Sequence, residues 1–162
     1  GNEGDGFGFR VGSTTPVIFR GDNTEVTWLT NSSDANSAIS PATNGQICMC
    51  AFDLDAGKIW WGINGTWNTV PGSTTTTSSA QIASGANAHK TWTPNGAFFR
   101  TGHSEYNRFG NAAEQLLNFG EGRFGVTAVA SGNADSAGEG VFEYAPPTNF
   151  LAICTKNIKN TG

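Results

Sequence analysis

Charge is in short supply in this chain. Only 14% of its 162 residues are Asp, Glu, Lys or Arg, and nine cations against 13 anions leave a net charge of -4. Phosphate binding needs a clustered basic face, and these cations are scattered, so nucleic acid is not an expected partner. Arg100 and Arg108 come closest to a patch, and their simplest reading is solvated loop cations. Long apolar runs are also missing. None approaches the ~20 residues that span a bilayer, and no charged-then-apolar segment precedes the fold, so a soluble domain without membrane insertion is expected. Apolar residues at helical spacing are lacking too, while Gly, Ser, Thr, Asn and Phe are plentiful. That combination predicts a mostly β chain.

Cysteine is sparse. Cys48 and Cys50 lie two apart in a predicted strand, share a face and are badly placed to bridge each other. Buried free thiols and a bridge from Cys154 to one of them both stay open. A single C-x-C, with neither His89 nor His103 at finger spacing, does not make a zinc site. The length suits one domain, residues 1–162, with its own core. Because it opens on Gly1, the chain is expected to be either a processed product or part of a longer parent chain.

The strongest local signal lies in residues 47–67, ICMCAFDLDAGKIWWGINGTW. Residues 47–52 form an apolar run without a helix breaker, and Asp53-Leu54-Asp55-Ala56-Gly57 is turn chemistry. Residues 58–63 then place Ile59, Trp61 and Ile63 on one face and Lys58, Trp60 and Gly62 on the other, with one face expected to be core. Asn64-Gly65 supplies the two positive-φ residues of a type I′ hairpin turn, and Trp67 returns on the far side.

Upstream, residues 7–11 read as a short strand, and residues 17–20 and 25–29 as a hairpin about Gly21-Asp22-Asn23. GDGFGF lacks the Lys-Ser/Thr and the helix of a phosphate cradle. Residues 31–45 are polar, punctuated by Pro41 and Gly45. Between 70 and 88 the chain carries PGSTTTTSSAQIASGANA, which reads as a long surface loop able to make variable contacts. Residues 97–100 are a short strand candidate, and residues 102–111 carry Tyr106 and Phe109 among polar neighbours. Residues 116–120 and 141–144 read as short strands on either side of a Gly/Asn-rich excursion at 127–140. Ala145-Pro146-Pro147 stops helix and ladder alike. Residues 150–155, apolar on both faces, predict a central strand.

Chemistry-bearing patterns are few. Asp53 and Asp55 invite comparison with a calcium loop, but the glycine stands at the fifth position and no acid at the twelfth, so a structural turn is expected and no metal or cofactor is assigned. No carboxylate spacing resembles a glycosidase strand. His103-Ser104-Glu105 holds the residue types of a nucleophilic site, but neighbours on an extended segment point to opposite faces. The expectation is a protein that is not an enzyme. Aromatic side chains are the better functional candidates. Trp60, Trp67 and Trp92 could stack on sugars or enter a protein interface, with Arg100, Tyr106 and Arg108 as further binding candidates, although core packing accounts for most tryptophans. Asn31-Ser32-Ser33 and Asn64-Gly65-Thr66 match the glycan-acceptor pattern, and the turn alone explains Asn64-Gly65.

AFDLDAGKIWWGINGTW resembles the strand-turn-strand-turn core of SPRY domains, and LLNFG followed by FEYAPPTNFLAICTKNI resembles their closing strands. The best match covers residues 47–158 and is closest to the SPRY-like domains of bacteriophage tail and other virion proteins, some of which carry an insertion like residues 132–140. The Gly-Lys-Trp-Tyr-like segment of the family is missing before residue 47; either the GFGFRV and VIF strands fill its role or the chain starts inside the domain. The resemblance implies a bent antiparallel β-sandwich (concanavalin-like jelly roll) with long Gly/Ser/Thr-rich loops. It implies a non-catalytic virion module, whose partners are neighbouring copies, other virion subunits or a host-surface protein or glycan. The alternative is a carbohydrate-binding module of a secreted, extracellular microbial protein.

Overall fold

A strand that is apolar on both faces must have neighbours on both edges and cover on both sides, and residues 58–63 meet those demands. The computed structural model describes residues 6–9, 17–21, 26–30, 45–70, 74–91, 93–94 and 116–158. These divide between two compact units, Gly1–Ala97 and Phe98–Gly162. The described elements are mostly strands, and every sheet is antiparallel.

The first unit opens with a three-stranded meander of β1 (Gly6–Phe9), β2 (Val17–Gly21) and β3 (Val26–Thr30), so the expected hairpin forms and gains a third strand. A second sheet is built around β5 (Lys58–Ile63), flanked along one edge by β4 (Cys48–Asp53). The turn between them is closed by Asp53, whose Oδ1 accepts from Ala56 N–H at 2.8 Å, while Gly57 takes a φ of 63°. On the other edge β6 (Thr66–Trp67) pairs with Gly62 and Ile63. Asn64 and Gly65, at φ 49° and 81°, make the expected turn with both residues left-handed. Asn64 also clamps the strand start, since its N–H donates to Ile47 O and its Oδ1 accepts from Ile47 N–H, both at 2.9 Å.

Both faces of β5 are buried, where alternation predicts one. Trp61 is buried as expected, and Trp60, on the opposite face, is 0% exposed. Gly62 allows β6 to close in: a Cβ there would meet Met49 Cε and Thr66 O at 2.6 Å and Trp67 Cα at 3.0 Å.

The Ser/Thr-rich stretch is not a structureless loop. It folds into α1 (Ser79–Ala83), capped by a reciprocal pair in which Ser78 Oγ accepts from Gln81 N–H and Gln81 Oε1 accepts from Ser78 N–H. Ile82 is its buried anchor. The chain then enters β7 (Lys90–Thr91), which pairs with Lys58 and Ile59 on the same edge of β5 that β6 uses farther along.

In the second unit the expected strand at 116–120 is replaced by a turn. Asn118 Oδ1 accepts from Gly120 N–H at 2.8 Å and Gly122 N–H at 3.4 Å, so its side chain takes donors that a ladder would use. A hairpin follows, β8 (Arg123–Phe124) and β9 (Thr127–Ala128), joined through Gly125-Val126, and its second strand opens the Gly/Asn-rich excursion. Residues 141–144 do not form a strand either; Val141 and Phe142 make isolated bridges to Glu121 and Asn133.

The central strand expected at 150–155 is absent. Ala152 N–H donates to the carboxylate of Asp135 and Cys154 N–H to Ala152 O, so the backbone is spent on a side chain and a tight turn. Leu151 and Ile153 are 51% and 46% exposed, and the chain runs on into α2 (Thr155–Ile158). The strand candidate at 97–100 and the segment at 102–111 lie outside the described residues.

Candidate functional site

The far edge of β5 is shared between two short strands, and the gap between them sets the chemistry of the first unit. β7 covers Lys58 and Ile59, β6 covers Gly62 and Ile63, and Trp61 N–H falls between. His89 fills that place. Its backbone N–H donates to Ile59 O at 3.0 Å, and its Nδ1 accepts from Trp61 N–H at 2.9 Å, as a strand carbonyl would. The tautomer that fits carries its proton on Nε2, which donates to Asn68 O at 3.0 Å and lies 3.2 Å from Thr77 Oγ1. The imidazole also stacks on Trp61, with centroids 6.3 Å apart and planes at 18°.

His89 is buried. Burial lowers its pKa from 6.5 to about 4, the hydrogen bond to Asn68 O pulling the other way. The ring is therefore neutral at ordinary pH, with both nitrogens committed.

Trp60 and Trp67, expected as exposed stacking platforms, do not face solvent. Both are buried, because the segment carrying α1 folds across them and supplies their indole acceptors. Trp60 Nε1–H donates to Ala86 O at 3.0 Å and Trp67 Nε1–H to Ser79 Oγ at 3.1 Å. Lys58 Nζ reaches the same segment at Gly85 O, 2.7 Å away. Trp92, Arg100, Tyr106 and Arg108 lie outside the described residues, as does His103. Thr74, Thr75, Thr76 and Ser78 are among the solvent-facing residues of the stretch.

A second polar centre, in the second unit, was not anticipated. Asp135 Oδ1 accepts from Ala137 N–H at 2.9 Å and Glu139 N–H at 2.8 Å, and its Oδ2 accepts from Ala152 N–H and Asn157 Nδ2, both at 2.7 Å. Burial pushes its carboxyl pKa up, but these four bonds outweigh burial and hold it below its ordinary value. The carboxylate is fully engaged in structure. Asn157 spends its amide donors on Asp135 and on Ala152 O, and Lys156 pairs with Glu139 at 2.5 Å. Val126, at the tip of the β8–β9 hairpin, is 93% exposed and is the most prominent apolar surface feature described.

Among the described residues no group of three or more His, Cys, Asp or Glu side chains is placed to hold a metal ion. Asp53 serves its own turn, as the glycine spacing implies, and Cys48, Cys50 and Cys154 are free thiols. Among the described residues no helix is long and apolar enough to cross a membrane. Comparison with protein-family models, with curated proteins and with solved structures gives no match to this chain.

Proposed function

We propose that the chain is a SPRY-like module of a bacteriophage virion, a bent β-sandwich that acts without catalysis in subunit assembly or in attachment to a host-surface protein or glycan. The observation that carries this reading is that D-x-D-x-G-K-I-x-W-x-x-N-G-x-W, the first of the patterns on which the resemblance rests, falls within one folded unit; the closing segments that resemble the family's last strands do not form strands. Its acidic turn, β5, the left-handed Asn64-Gly65 turn and the returning Trp67 fall where a strand-turn-strand-turn core requires them. Solvent-facing Thr74, Thr75 and Thr76 and the tip residue Val126 offer contact surfaces on short, well-anchored supports. A module that attached by stacking sugars on Trp60 and Trp67 would need those rings in solvent, which favours contact through loops.

The test is to determine the mass of the purified chain in solution and to map it within an intact particle. A repeating assembly or a larger parent chain, with residues 72–87 and 132–140 contacting neighbouring subunits or host surface, is expected. A monodisperse monomer with every strand edge covered by its own residues would overturn the assembly reading and favour an independent sugar-binding module.

A further inference from the structure

Residues 77–89 are held over β5 and β6 largely by polar contacts. Trp67 Nε1–H, Lys58 Nζ, Trp60 Nε1–H and Trp61 N–H donate in turn to Ser79 Oγ, Gly85 O, Ala86 O and His89 Nδ1. The buried apolar anchor of the segment is Ile82. His89 is the member whose bonding depends on a proton. As the neutral ring it accepts from Trp61 N–H; as an imidazolium it would carry a proton on Nδ1 too, and the two groups would meet donor to donor.

Nothing described nearby answers that charge. On β5 the charged group is Lys58, whose ammonium is on Gly85 O; on β4 they are Asp53, paired across from Lys58, and the thiols Cys48 and Cys50, the latter opposite Trp61. Asp55 sits in the β4–β5 turn, β6 and residues 68–70 and 74–88 hold no titratable side chain, and Lys90 follows His89 in sequence. Among the described residues no ion pair involves His89.

We propose that residues 77–89 form an acid-released strap: protonation of His89 frees the segment from β5 and uncovers Trp60 and Trp67, while the β4–β5–β6 ladder stays paired. The step moves one proton from hydronium onto Nδ1, an N–H bond forming as the O–H bond breaks and water leaves, and the hydrogen bond from Trp61 N–H is lost. The released ring titrates at its ordinary 6.5 and the strapped ring at about 4. In that window the released form holds one more proton, and its population rises about tenfold for each unit by which the pH falls.

Hydrogen exchange of the full chain from pH 7 to 4, corrected for the intrinsic pH dependence of amide exchange, reads this directly. Protection of residues 79–89, and of Trp61 N–H, whose acceptor is His89 Nδ1, is expected to fall about tenfold per pH unit below about 6.5 while the rest of residues 48–63 keep theirs. His89→Asn, which retains an acceptor and cannot titrate, is expected to remove the slope. Protection of 79–89 that ignores pH, that falls in step with 48–63, or that keeps its slope in His89→Asn overturns the proposal. Should that variant not fold, imidazole nitrogen NMR of the wild-type chain decides. An Nε2–H ring titrating near 4 supports the strap; an Nδ1–H ring, or a midpoint near 6.5, overturns it.

Discussion

The two units solve the same problem, satisfying buried backbone, by opposite means. Around β5 the donors and acceptors are met mostly by other backbone, strand to strand, and side chains mainly supply bulk; Asn64 and Asp53 serve the turns, and His89 stands in for a carbonyl where β6 and β7 leave a gap. Around Asp135 the relation is reversed. There side chains hold the backbone: Asn118, Asp135 and Glu143 accept from main-chain N–H groups, with Glu143 Oε2 taking Ala130 N–H at 2.6 Å and Ser131 N–H at 3.2 Å. Asn133 works from the donor side, its Nδ2 reaching Phe142 O and Glu143 O. Gly120 and Gly140, both left-handed, bring their backbones close enough that a Cβ on either would lie within 3.3 Å of the other's Cα. A ladder region should therefore be sensitive to volume, and a side-chain-stapled region to charge.

Trp61→Ala sharpens the first half of that contrast most, with an expected loss of about 3–5 kcal/mol in denaturant unfolding; a variant that melts like the wild type would refute the register of β5. Asp135→Ala should remove on the order of 3 kcal/mol, because Ala152 N–H and Asn157 Nδ2 are left buried without their charged acceptor. Its signature is in the pH dependence. The Asp135 carboxyl is depressed in the folded state, so its contribution is complete above the ordinary carboxylate value and is lost as pH falls through the folded one. Acid titration of unfolding should thus show a component that Asp135→Ala abolishes, and equal acid slopes in the two proteins would break the comparison. Gly62→Ala is expected to cost about 1–3 kcal/mol by pushing β6 away, read as lost protection of Asn68 N–H, which donates to Trp61 O. Ser78→Ala, which removes the cap of α1, should cost about 1 kcal/mol in thermal unfolding without altering the β4–β5 ladder.

What the sequence discloses follows the same division. Asn64-Gly65, the acidic turn and the Lys58–Ile63 strand are legible because each uses local chemistry that has one common structural outcome. The burial of Trp60 is not, since it depends on a segment from a later part of the chain that brings Ala86 O to its indole. The helix of that segment did leave a signal, Ser78 followed three residues later by Gln81, but the polar run around it hid the box and Ile82 alone gives no period. The apolar run at 150–155 reads as a strand because its residues favour one; it does not become one because Asp135, far off in sequence, takes the Ala152 N–H. His89 gives no local cue at all, as a lone histidine reveals neither its burial nor the gap it fills.

Composition alone would mark residues 70–88 as the place to shorten the chain or splice in a tag. The hydrogen bonds of Ser79, Gly85 and Ala86 to Trp67, Lys58 and Trp60 make that stretch a fitted part whose length is set by the spacing of its acceptors. A graft there would pull the indoles out of register with their partners. The Gly125-Val126 tip has its larger side chain almost wholly in water, and that is where foreign sequence can be carried without disturbing what lies beneath.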